Sequence, residues 1–177
     1  MQAFTLSKKL YITFFLILIG IAFGVSCLSF YERTGFSPSL TVRHYNGNDE
    51  TVNDDVEYEY NEPLLQEKLF FPKSYREILE IVHVHAFMIP LIIFVLSRIL
   101  SLTDIRDGVK TTIYSIAFVG TGMNLSSIYL IRYKPEIFSL SLLASYIVLG
   151  LCFTTYISMP IWVMWFKKAT KDVEYWL

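Results

Sequence analysis

The distribution of charge constrains this 177-residue chain more than any other feature. Residues 10–31, 81–97, 111–131 and 137–166 contain no Asp, Glu, Lys or Arg, and together they make up half the sequence. A bilayer core of ~30 Å is crossed by about 20 apolar residues in a helix. A soluble helix would instead place charged residues on its solvent face every three to four positions. Only 18% of the chain is charged and 54% is hydrophobic. A soluble enzyme, a nucleic-acid binder and a disordered tail are therefore excluded. The expected fold is an all-α integral membrane protein. Four transmembrane helices form an antiparallel bundle, with a small extracytoplasmic segment that can hold a β-hairpin. The expected divisions are an N-tail and first helix over 1–31, an acidic outer segment over 32–74 and a second helix over 75–100. A cytoplasmic loop over 101–110, a third helix over 111–131 and an outer loop over 132–136 follow. A fourth helix over 137–166 and a tail over 167–177 complete the chain.

Four spans put both termini on one side. That side holds eight basic and four acidic residues, and the other holds seven basic and twelve acidic. The basic residues of the first group lie in short segments, and Lys8 and Lys9 directly flank the first span. The positive-inside rule then places both termini in the cytoplasm. Tyr31, Tyr129 and Tyr133 mark the outer interface, and Trp162, Trp165 and Trp176 the inner one. A signal-peptide reading of the first span competes with this. Its GVSC ending resembles a lipoprotein site, but Gly24 stands where Leu is usual. Gly20 and Gly24, four apart, read instead as a helix-packing face. Cys27 and Cys152 lie at different depths and do not suggest a disulfide.

In the outer segment, SLTVRHYNGNDE reads as a strand entering an Asn46-Gly47 turn. VEYEY at 56–60 alternates like a second strand, and PLLQEKLFF at 63–71 is apolar enough to lie on the membrane surface. Ser74-Tyr75-Arg76-Glu77 is a capping box that starts the second helix at Tyr75.

The second span holds the residues with chemistry. His83 and His85 lie in an uncharged run, and ionisable groups at such positions are functional-site hypotheses. Two residues apart on a helix, they point about 200° apart, so they serve different faces. Glu80-x-x-His83 has the i, i+3 spacing of carboxylate metal sites in bundles, and the pair is a candidate metal site. The face of His85 (Ile81, Met88, Ile92) suits a haem edge, a quinone or lipid. Counting inward from the outer ends brings polar groups of all four spans to a similar depth: Ser26, the two histidines, Asn124 with Ser126, and Ser145 with Tyr146. Polar groups in lipid must find partners, so a shared polar layer is expected. It is either structural or a site for haem b. In the second case His83, His85 and Met123 are the candidate ligands, with Ser26, Asn124, Ser126 and Tyr146 around them. His44, or a histidine of a second copy, could complete the iron's coordination. No GxSxG, Walker, HExxH or Cys-x-x-Cys-His motif occurs, so the chain is not expected to be an enzyme.

The stretch PKSYREILEIVHVHAFMIPLIIFVL at 72–96, with its Glu80…His83-x-His85 pattern, resembles the second helix of an uncharacterised group of bacterial four-helix inner-membrane proteins. The outer segment beginning at Tyr31-Glu32-Arg33-Thr34-Gly35 is similar too. The resemblance implies a bacterial inner-membrane protein in or beside a respiratory complex and tilts the reading toward redox; with the histidines and Met123 in the polar layer, the expected work is electron transfer through haem b, beside partner membrane subunits or in a homo-oligomer. Val82 stands where that group often has Thr. The alternative is a non-catalytic accessory or assembly subunit in the lipid bilayer, with no nucleic-acid partner.

Overall fold

The computed structural model describes residues 5–47 and 71–166. It contains five helices: α1 (Leu6–Thr34), α2 (Pro38–Asn46), α3 (Tyr75–Ser101), α4 (Asp107–Leu130) and α5 (Pro135–Trp165). All but α2 are long and apolar enough to cross a membrane. At 1.5 Å per residue α3 extends about 40 Å. Lipid offers no hydrogen bonds to a backbone, so each crossing segment satisfies its own amides as helix. Both prolines inside spans, Pro90 and Pro160, lie within continuous helices.

Successive helices alternate in direction. The start of α1, the end of α3, the start of α4 and the end of α5 share one end of the bundle, termed here the inner end. α4 and α5 pack most closely, α3 lies against both, and α1 lies against α5. Leu16, Leu96, Leu100, Ala117, Leu149 and Tyr156 form the core of the inner half. Phe30, Tyr45, Ile128, Ile131 and Leu142 form a second cluster near the outer end.

Each end is built from local sequence. α3 opens on the predicted capping box: Ser74 Oγ accepts from the Glu77 amide, and the Glu77 carboxylate accepts from the Ser74 amide at 2.6 Å. α1 closes on Gly35 at φ 55°, whose amide donates to the Tyr31 carbonyl at 2.7 Å. Glycine takes that left-handed cap without the steric cost of a Cβ.

The expected strand at 40–45 is a helix. Pro38 at the first helical position presets the backbone. Thr41 and Tyr45, one turn apart, are the buried residues. Leu40 and Val42, which would share one face of a strand, do not form the buried face. No strand occurs among the described residues. The other half of the expected hairpin (56–60), the surface segment 63–70 and the tail with Trp176 lie outside the described residues. α2 is fixed across the outer end of the bundle. Asn46 Nδ2 donates to the Ile131 carbonyl at 3.3 Å, and the Lys73 amide donates to the Tyr45 carbonyl at 3.0 Å.

Candidate functional site

In the outer half, α4 and α5 share a buried polar seam. Asn124, 1% exposed, donates from Nδ2 to Ser145 Oγ at 3.1 Å, and Ser145 donates onward to the Leu142 carbonyl at 2.7 Å. Ser127 Oγ donates to Ser141 Oγ at 2.8 Å. Asn124 Oδ1 is buried and has no hydrogen-bond partner among the described residues. Gly120 lets the two helices close together on the inner side of these bonds. A Cβ there would lie 3.0 Å from Val148 Cγ1 and 3.3 Å from Leu149 Cδ2.

The other residues singled out from sequence stand elsewhere. Ser26 and Ser126 are exposed and bond carbonyls of their own helices, Ala22 at 3.1 Å and Gly122 at 2.8 Å. Tyr146 stacks on Phe30 with ring centroids 4.0 Å apart, tying α5 to the end of α1. Met123 is half-buried. A Cβ on Gly20 would meet Ile157 Cδ1 at 3.4 Å, whereas nothing lies within 4 Å of one on Gly24. The structure thus brings Asn124 and Ser145 together and leaves Ser26 and Ser126 outside their seam. Cys27 and Cys152 are both free.

The α3 histidines differ in setting. His83 is exposed, on the lateral surface of α3. Glu80, expected to orient it, accepts instead from Arg76 Nε at 3.1 Å, and both members of that pair are exposed. His85 is half-buried, and its Nδ1 lies 2.8 Å from the Ile81 carbonyl oxygen. A carbonyl only accepts, so Nδ1 must carry the proton. In the neutral ring this leaves the Nε2 lone pair free. Among the described residues no group of three His, Cys, Asp or Glu side chains could hold a metal ion.

A second polar cluster, in the inner half, was not anticipated. Ser97 Oγ and Tyr156 Oη are 3.0 Å apart, Tyr114 Oη donates to the Ser97 carbonyl at 3.2 Å, and the two tyrosine rings stack. Tyr156 is fully buried. This cluster joins α3, α4 and α5. At the rim below, Trp165 Nε1 donates to Thr13 Oγ1 at 3.0 Å, and the Lys9 ammonium sits 5.8 Å above the Trp165 ring. The sequence signal was the polar tips of Tyr114 and Tyr156 inside uncharged runs. A depth comparison from the outer ends alone passes over them.

His44 lies outside the spans, half-buried on α2. Burial, and then the charges of Lys73 and Arg33, lower its pKa from 6.5 to about 4. The neighbouring Tyr45 hydroxyl is pushed up, chiefly by burial.

A family model for a transmembrane helical domain matches residues 35–171. No curated protein and no solved structure matches the chain.

Proposed function

We propose a function from one premise: the chain belongs to the Aq_1264_TM family of transmembrane helical domains. It is a multi-pass membrane protein in contact with the lipid bilayer. On our reading it is a non-catalytic accessory or assembly subunit of the bacterial inner membrane, with both termini cytoplasmic. It docks a partner membrane subunit through the outer part of α3. The observation that carries this is the contrast between the two sets of polar groups. Those inside the bundle bond to one another across α4 and α5. Arg76, Glu80 and His83 instead stand on the lateral surface. Polar groups at a lipid-facing position gain most from a neighbouring helix that can bond them.

A photo-crosslinker at position 83 tests this in native membranes, with one at Phe118, exposed on α4, as the control. A crosslink to one defined polypeptide from position 83 and none from 118 is expected. Lipid adducts alone at position 83 would defeat the reading.

One observation favours a second reading, haem b ligation. The Nδ1 hydrogen bond of His85 fixes its ring and presents Nε2, as partners of ligating histidines do. Bound haem would supply one-electron chemistry, and Met123 or a partner's histidine would be the second residue to hold it. Protein purified from haem-sufficient cells should then show a Soret band that His85→Leu abolishes. Its absence from the unaltered protein would remove this reading.

A further inference from the structure

At the inner end, α1 and α3 flank α5 without packing extensively on each other. They leave a groove of about 300 Å³ lined by Tyr11, Ile12 and Phe15 of α1 and by Val95, Arg98, Ile99 and Leu102 of α3. Val95, Arg98, Ile99 and Leu102 follow i, i+3, i+4, i+7 on α3, and Tyr11, Ile12 and Phe15 lie within about one turn on α1, so each wall is a single helical stripe. The walls are apolar except at the inner rim. Arg98 lies in the last turn of α3. Lys8, on the same face of α1 as Tyr11, Ile12 and Phe15, lies in its first turn. Both cations are exposed, and neither has an ion-pair partner among the described residues. Lys9 and Lys110, by contrast, are engaged by Trp165 and Asp107. Thr5 makes no side-chain cap, so the first amides of α1 at this rim remain open to an acceptor.

An apolar slot deep in the leaflet with two unpaired cations at headgroup level has the amphiphilic pattern of one lipid class. We propose that the α1/α3 groove binds an anionic phospholipid, with one acyl chain between Phe15 and Val95 and the phosphate between Arg98 and Lys8. Charge supports an anionic headgroup over a zwitterionic one, because basic sites between spans gain from net negative charge. The site is at the opposite end of α3 from His83, so it does not depend on the docking role proposed above.

The full-length chain is equilibrated in vesicles of equal parts phosphatidylglycerol and phosphatidylcholine and extracted in mild detergent. Retained lipids are then counted by native mass spectrometry. One phosphatidylglycerol held in preference to phosphatidylcholine is expected. Arg98→Gln and Lys8→Gln should each cut that preference about five-fold, whereas Arg98→Lys should keep most of it. Val95→Phe fills the slot without altering charge and should lower retention of both lipids. Equal retention of the two lipids by the unaltered protein overturns the proposal. So does an undiminished preference in Arg98→Gln, or a lipid-free dimer crosslinked through position 95.

Discussion

Gly120 and Gly122 offer a test of how tightly α4 and α5 pack, because the same substitution has different consequences at the two sites. A Cβ on Gly120 would lie 3.0 Å from Val148 Cγ1, with two atoms of Leu149 within 3.4 Å. Optimal carbon–carbon separation is about 3.5–4.0 Å, so the overlap is roughly 0.5–1 Å. Val148 is β-branched and holds essentially one rotamer on a helix. It cannot turn aside, and α5 itself must move away. The bonds Asn124–Ser145 and Ser127–Ser141 lie within two turns of that contact and would lengthen with it. Overpacking of this kind costs about 1–3 kcal/mol. At Gly122 nothing lies within 4 Å of an added Cβ. Both substitutions gain about 0.5–1 kcal/mol by replacing glycine within a helix. That gain cancels between them, and the difference reports packing alone. Gly120→Ala should therefore be less stable than Gly122→Ala by about 1–3 kcal/mol. Helix content followed by circular dichroism through a detergent-to-denaturing-detergent titration measures it. Equal midpoints, or a more stable Gly120→Ala, would refute the close approach of α4 and α5.

Three further outcomes are expected. Tyr156→Phe removes the hydroxyl shared with Ser97 at 3.0 Å and should lower stability in the same titration by about 0.6 kcal/mol, the usual worth of an interhelical bond in a membrane; an unchanged midpoint would make that contact incidental. Because Glu80 is paired with Arg76 rather than His83, His83→Ala should leave membrane yield and midpoint unchanged, and a marked loss of either would show that His83 contributes to the fold. His44 is held down at about 4 when α2 is docked, against 6.5 when it is free, so the undocked state takes up the proton first. Docking is then fully stable above pH 6.5 and weakens as the pH falls toward 4. Protection factors of the α2 amides, with the intrinsic pH dependence of exchange divided out, should fall over that window, less so in His44→Gln, and identical profiles would discount His44 as the cause.

What could be read from sequence follows the physics of the bilayer. Charge exclusion from hydrocarbon marks the four spans because a buried charge is costly at any depth and in any sequence context. The capping box at Ser74 and Glu77 was legible for a similar reason: it is local, and its two partners are three residues apart. α2 was not legible. Six residues of SLTVRH fit an alternation or a helical turn equally well. Tertiary burial of Thr41 and Tyr45 under the outer ends of α1 and α5 decides between them. The histidines show a further limit. Depth along a helix can be counted from sequence, but rotation about its axis cannot when the apolar residues surround the helix on all sides. A soluble helix reveals its inward face by hydrophobic contrast. α3 carries Phe87, Met88, Leu91 and Phe94 on its exposed surface, so lipid and core look alike in its sequence. Asn124 and His83 both lie in the outer half of their spans, yet one is sealed between α4 and α5 and the other faces outward. In α4 the clue was small residues beside the polar one. Ala117, Gly120 and Ser127 recur with Asn124 at helical spacing along the buried face, and small residues mark where one membrane helix can approach another. That stripe, rather than the pair of histidines, marks the inward-facing side of a span in this chain.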